Sequence, residues 1–474
     1  LFVHVLKIRL EAGSDAKDNR TSFIPAWPAL MNVRPSAMAL TPLLVFLALF
    51  FGAGLYYTAQ GEAMGFYQLR APVAILPALA LAAWLAHRRG IEPLATLLRG
   101  MGDSNVVLMC LIFLLAGAFA TVSKAIGAVD AVVALGLGSL PPALILPGLF
   151  VIAGLVALAI GTSMGTIAAV VPIALGVADA AGLDRALVIG AVIGGAMFGD
   201  NLSVISDTTI AATRSQGCEM RDKFRENFLI ALPAAIATAL LLGFLGDAAP
   251  VNAPDPVSGW LVLPYLAVLV LALSGLNVII VLGLGIVLAG IFGFIWTADY
   301  GLSAFAGDIY TGYESMVEIL LLSLLIGGLA ALTKATGGLD WLAVAIARFA
   351  RGHRGRRAGE LSIAALAVAG AFFTANNTVA ILVGGSVAKD IAVRHGIPAR
   401  RSASLLDIFA CVVQGVLPYG AQILLAASLA AVSPLELAGK VYYCWILAIV
   451  AIGFILWRSQ TQVLEAEPAA SRTT

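Results

Sequence analysis

Apolar residues run along this chain in long blocks separated by short polar or glycine-rich breaks. Blocks near 39–58, 70–87 and 105–124 each hold about 20 residues, enough to cross a bilayer at 1.5 Å per residue. A glycine-interrupted stretch follows at 141–181, then blocks near 186–212 and 227–246. The second half repeats the rhythm, with blocks near 258–274, 278–297 and 314–335, an interrupted stretch at 360–395, and blocks near 403–432 and 439–457. The interrupted stretches are too long for one crossing, since about 40 residues make roughly 60 Å of helix. Each therefore reads as a helical hairpin whose tip unwinds inside the membrane.

This pattern predicts an all-α polytopic membrane protein with two inverted repeats of about five transmembrane helices, each with a re-entrant hairpin and a broken helix. The expected organisation is an N-terminal tail (1–37), a first repeat (38–246), an extracytoplasmic linker (247–257), a second repeat (258–457) and a cytoplasmic tail (458–474). Residues 1–30 are polar, begin with Leu and lack a signal-peptide pattern. They read as a disordered tail or an over-extended start.

Composition agrees with the pattern. Of 474 residues 61% are hydrophobic and 12% charged, too few charges to clothe a soluble chain of this length. The net charge of +1 gives no nucleic-acid signal. The cysteines Cys110, Cys218, Cys411 and Cys444 are dispersed, and the four histidines form no metal-spaced cluster. With no GxSxG and no HExxH, an enzyme is disfavoured, and no cofactor is expected.

Charge placement sets the expected orientation. Basic residues crowd the loops at His87–Arg99, Arg214–Arg225 and Arg348–Arg357, with Arg400, Arg401 and Arg458 beyond. The loops carrying Asp247 and Asp255, or Asp299 and Asp308, hold no Lys or Arg. The positive-inside rule then puts both termini in the cytoplasm of a bacterial inner-membrane protein. SKAIGAVD at 123–130 answers TKATGGLD at 333–340. An odd number of crossings per copy makes the copies opposite in topology. Lys124 and Lys334 read as snorkelling span ends, Glu314 and Glu318 as charges opening a span from outside, and 339–350 as an amphipathic surface helix.

The hairpin tips carry oxygen-rich sequences. The first, GTSMGT at 161–166, offers Thr162, Ser163 and Thr166; the second offers Thr374, Asn376, Asn377 and Thr378. Unwound backbone at membrane depth is tolerated where it is buried in protein or lines a cavity, and it presents the oxygen ligands that small hard cations take. Gly161 and Gly165 also fit a GxxxG packing motif. The block FGDNLSVISDTT at 198–209 puts Asp200 mid-span, with Asn201, Ser203, Ser206, Asp207 and Thr208 beside it. An intramembrane carboxylate is costly and by default functional. The bland alternatives are a helix ending at Gly199 with Asp200 as its cap, and a solvated Asp207. In the second half, FACVVQGVLPYGAQ at 409–422 places Gln414 opposite Asp200, with Tyr419 and Gln422 at a Pro-Gly break. Asp407 reads equally as a site residue or a solvated helix end.

At these motifs the chain resembles the NhaC-type sodium/proton antiporter family, over roughly residues 40–457. The resemblance rests on GTSMGT with Pro172 following, GAMFGDNLSVISDTT at 195–209, TANNTVAIL and LLDIFACVVQGVLPYGAQ at 405–422. Val204 departs from it, standing where a proline is expected. The resemblance implies sodium-coupled exchange with Asp200 and Asn201 as sodium ligands. The expected function is exchange of sodium for protons at a shared buried carboxylate, where desolvation disfavours the charged form and the two cations compete. The alternative is a sodium- or proton-coupled carrier of small organic acids or amino acids. Expected partners are membrane lipid and the transported solutes, with a homodimer among the assemblies open to the chain.

Overall fold

The computed structural model describes residues 34–470, apart from 62–67, 129–130, 132–140, 205, 247–257, 275 and 353–354. Asp130, most of the predicted N-terminal tail and the 247–257 linker lie outside the described residues. Helices account for most of the rest, and no strand occurs among the described residues. Numbered in chain order they are α1 (Thr41–Ala59), α2 (Leu76–Arg88), α3 (Pro93–Met101), α4 (Ser104–Ala125), α5 (Ile145–Ile160), α6 (Ser163–Ala181), α7 (Arg185–Leu202), α8 (Asp207–Gln216), α9 (Met220–Leu245) and α10 (Leu263–Leu273). Then follow α11 (Val278–Trp296), α12 (Leu302–Ala335), α13 (Gly338–Gly352), α14 (Arg356–Thr374), α15 (Asn377–Arg394), α16 (Ala399–Val416), α17 (Ala421–Ala430), α18 (Pro434–Lys440) and α19 (Tyr442–Ala470). Ten segments among the described residues are long and apolar enough to cross a membrane, counting α2 with the short helix Ala71–Ala74 before it, α7–α8 and α16–α17 as one each.

The two interrupted stretches are helix pairs, α5–α6 and α14–α15, broken where the sequence put their tips. Gly161 ends α5 in the left-handed region (φ 78°), which a residue without Cβ enters freely, and Thr162 is extended before α6 begins. Ala375 ends α14 in the same conformation (φ 51°), with extended Asn376 after it. Further left-handed pairs recur at the same separation: Gly182 with Gly396, and Gly217 with Ala431. The two halves thus share backbone punctuation as well as sequence.

Small residues bring the helices close. On α7, a side chain at Gly195 or Gly199 would overlap the backbone of α5 at Phe150 or Gly154. This approach fixes Asp200, the next residue, against the hairpin. Gly100 meets Gly327 and Gly117 meets Gly312. Rising numbers on α3–α4 therefore face falling numbers on α12, so α4 and α12 are antiparallel. These helices end in the matched SKAIG and TKATG sequences.

Some boundaries move. Helix α12 begins at Leu302 rather than near 314, which makes Glu314 and Glu318 interior residues instead of an opening turn; Glu318 Oε2 lies 3.5 Å from Arg70 Nη1. Helix α9 begins at Met220, seven residues earlier than its apolar block, because the polar turns of MRDKFREN continue the helix. The tail predicted from 458 continues α19 to Ala470. The amphipathic 339–350 segment is α13.

Candidate ion-binding site

Asp200 sits in the last turn of α7, 2% exposed, so it neither caps a helix ending at Gly199 nor meets solvent. Its two carboxylate oxygens are held from different elements. Ser163 Oγ, in the first turn of α6 beyond the tip, donates to Oδ2 at 2.9 Å. Ser206 Oγ, in the break after α7, donates to Oδ1 at 2.6 Å. Since that proton points at the carboxylate, Thr208 Oγ1 donates to Ser206 Oγ at 2.9 Å. Asp200 takes part in none of the ion pairs among the described residues.

The helix break needs no proline at Val204. Ser203 and Ser206 are both extended, and Val204 is exposed. Carbonyls freed by a break inside a membrane protein cost several kcal/mol each if left unpaired. Here side chains take them up: Thr209 Oγ1 donates to Ser203 O at 2.7 Å, and Lys223 Nζ and Asn227 Nδ2 donate to Asn201 O at 3.3 and 2.8 Å. Ser203 Oγ reaches across to Leu158 O, locking the break against α5.

Beside this lies a second buried carboxylate. Asp407, two turns into α16, is fully buried, which removes the solvated-end alternative. Its Oδ2 lies 2.6 Å from Lys223 Nζ and accepts from Asn227 Nδ2 at 2.7 Å. Cys411 Sγ lies 3.9 Å from Asp407 Oδ1, and Asn377 Nδ2 of the second tip lies 3.8 Å from that sulfur. Lys223, counted above with the cytoplasmic basic cluster, is 1% exposed. Arg401, named above among the basic residues beyond the clusters, is likewise fully buried, with Nη2 2.9 Å from Glu360 Oε2, and Arg356 pairs with the same carboxylate. A positive charge read as a loop residue is here the internal partner of a distant acid.

The second break has a neutral counterpart of the first. Gln414 Nε2 donates to Ala375 O at the tip (3.2 Å) and to Gln422 Oε1 (2.6 Å). Gln422 Nε2 then reaches Ser163 Oγ at 3.4 Å. A polar chain therefore runs from the second tip through the second break and Ser163 of the first tip to Asp200.

Not every predicted residue enters this centre. Asp207 is exposed, at the start of α8, and accepts from Thr378 Oγ1 at 2.5 Å, which joins the first break to the second tip. Asn201 directs its amide to Tyr443 OH (3.2 Å), leaving its backbone carbonyl at the site. Asn376 caps its own helix through Val379 N, Thr374 bonds Gly370 O and Asn376 O, and Thr166 bonds Thr162 O. Thr162 offers that carbonyl. Tyr419 OH holds Phe372 O at 2.7 Å, bracing the break against α14. Gly165 packs on Val278, so the first tip combines packing with unwinding. Sequence reasoning did not find Lys223 and Asn227 as site residues. Their spacing of four puts them on one helical face, but an apolar block that starts at 227 leaves Lys223 in the preceding polar loop and hides the pairing.

An all-helical chain with ten membrane-length segments and oxygen-lined helix breaks around buried carboxylates is a multi-pass membrane transporter. It belongs to the Na+/H+ antiporter family, whose profile matches residues 30–246 and 255–458. The Na+/H+ antiporter NhaC of Bacillus subtilis is 30% identical over 227 residues, 44% of this chain and 49% of that protein. The malate-2H+/Na+-lactate antiporter of the same organism is 33% identical over 147 residues, 31% of each chain. The matched stretches thus span half or less of these relatives. A solved Alcanivorax borkumensis YdaH transporter aligns over 89% of this chain and 98% of its own, at 14% identity and a TM-score of 0.41.

Proposed function

We propose that this chain exchanges sodium ions for protons across the bacterial cytoplasmic membrane, at a site centred on Asp200. One observation carries the reading: Asp200 is buried among hydroxyl donors and, among the described residues, has no cationic side chain in ion-pair contact, whereas Asp407 has Lys223. An ionised carboxylate in such a place needs a counter-charge, and the cargo supplies it. Either a proton or a sodium ion neutralises it, so binding one expels the other and exchange needs no second pathway. The oxygens of Ser163, Ser206 and the broken backbone are ligands suited to sodium.

Alternating access follows if the hairpins move against the remaining helices. The antiparallel packing of α4 and α12 supports an inverted-repeat plan with the basic loops in the cytoplasm. The name of one relative, a malate and lactate exchanger, makes organic-acid coupling the competing outcome. Purified protein in liposomes, given an outward sodium gradient and no organic solute, should move protons inward. Proton movement only when a carboxylate or amino acid is added would replace this reading with the carrier.

A further inference from the structure

The Lys223 ammonium occupies a ring of oxygens rather than a simple ion pair. Asp407 Oδ2 lies at 2.6 Å, Thr209 Oγ1 at 2.7 Å and the Asn201 carbonyl at 3.3 Å. These come from three separate elements, α16, α8 and the end of α7, and Lys223 itself from a fourth, α9. Carboxylate, hydroxyl and backbone carbonyl are the donor types of an alkali-cation site. Asn227 completes the ring: its Nδ2 bonds both Asn201 O and Asp407 Oδ2. Its Oδ1 is buried and unpartnered, a buried acceptor that costs about 1–3 kcal/mol while unmet.

We propose that this ring is a second cation site, with the Lys223 side chain as its tethered resident and a transported sodium ion as its competitor. The inference rests on the exchange reading above and adds a site to it. When sodium enters, the ammonium withdraws along α9, and the Asn227 amide turns its free oxygen to the ion. Charge selects a monovalent cation: one carboxylate balances one positive charge, and a divalent ion would leave a surplus buried. Because Asn201 belongs to the same break as Asp200, filling the ring shifts the backbone that carries the primary site. Lys223 thereby becomes a positioning residue that keeps the second site closed until sodium displaces it.

Lys223→Met removes the competitor while keeping the length of the side chain. In detergent at alkaline pH, binding of radioactive sodium to the full chain should tighten by about tenfold or more, if the ammonium fills the ring at least ~90% of the time. The variant should also melt lower than wild type in choline chloride and recover in sodium chloride, since sodium binds only the folded form. Should it give no folded protein without sodium, purification in sodium throughout should yield it. Failure in both salts, or equal recovery in both, overturns the inference. So does sodium affinity in Lys223→Met that is unchanged or weaker. Wild type that binds no sodium at all instead defeats the exchange reading itself.

Discussion

The breaks in α7–α8 and α16–α17 interrupt spans of equal length, and each lies against a hairpin tip, yet their chemistry differs. In the first, Asp200 is held by Ser163 and Ser206. In the second, Gln414 fills the answering position and bonds Ala375 O and Gln422. The second copy instead carries its carboxylate two turns earlier, at Asp407, where the first copy has the buried Ile193. That acid is neutralised from within the protein by Lys223. The two halves share their backbone breaks and differ in where the charge sits and what balances it. The unpaired acid is suited to a mobile cation, and the amide chain couples the copies without adding charge.

The largest expected effect comes from removing the unpaired charge. Asp200→Asn keeps size and hydrogen bonding but neither ionises nor balances a cation. Sodium-driven proton flux in liposomes should fall to background across the whole pH range, with melting temperature near wild type, because losing a lone buried charge seldom harms stability. Near-normal exchange would erase the distinction between the two acids.

Asp407 should behave in the opposite way. Asp407→Asn leaves the Lys223 ammonium buried without its carboxylate, a loss of about 3–5 kcal/mol. The double variant Lys223→Met with Asp407→Leu removes both charges and should regain most of that stability. Thermal or denaturant unfolding in the absence of sodium measures both. A double variant no more stable than Asp407→Asn would show that the pair is not acting as a closed unit.

The smallest effect belongs to the neutral break. Gln414→Leu cuts the link between the second tip and Gln422 and strands the Ala375 carbonyl. One unmet buried acceptor amounts to about 1–3 kcal/mol, so exchange should slow several-fold while sodium and proton flux stay coupled. Complete loss of exchange would put Gln414 on a level with Asp200 and collapse the comparison.

Much of this was legible in the order of residues. Span positions follow from the lengths of apolar runs, because lipid demands a helix of fixed length with its backbone bonds satisfied. The hairpin tips and both breaks were visible as Gly, Pro, Ser, Thr and Asn clusters, since these residues release the helical backbone. Asp200 stood out because apolar neighbours on both sides force it into the membrane. The Val204 position shows the limit of reading a break from proline. There the helix stops because Thr209, Lys223 and Asn227 meet the carbonyls that the break frees, and all three lie beyond the break itself.

What only the tertiary structure decided is which charges meet. Lys223, Arg401 and Asp407 each lie within a few turns of a polar loop, where sequence alone permits solvation as readily as burial. Packing of α9 against α16 places Lys223 and Asp407 together in the interior, and packing of α14 against α16 does the same for Glu360 and Arg401. Hydropathy is a local sum along one helix and places a residue at a depth. A buried ion pair depends on two helices presenting opposite charges at the same depth and the same azimuth, and that is fixed only when they pack.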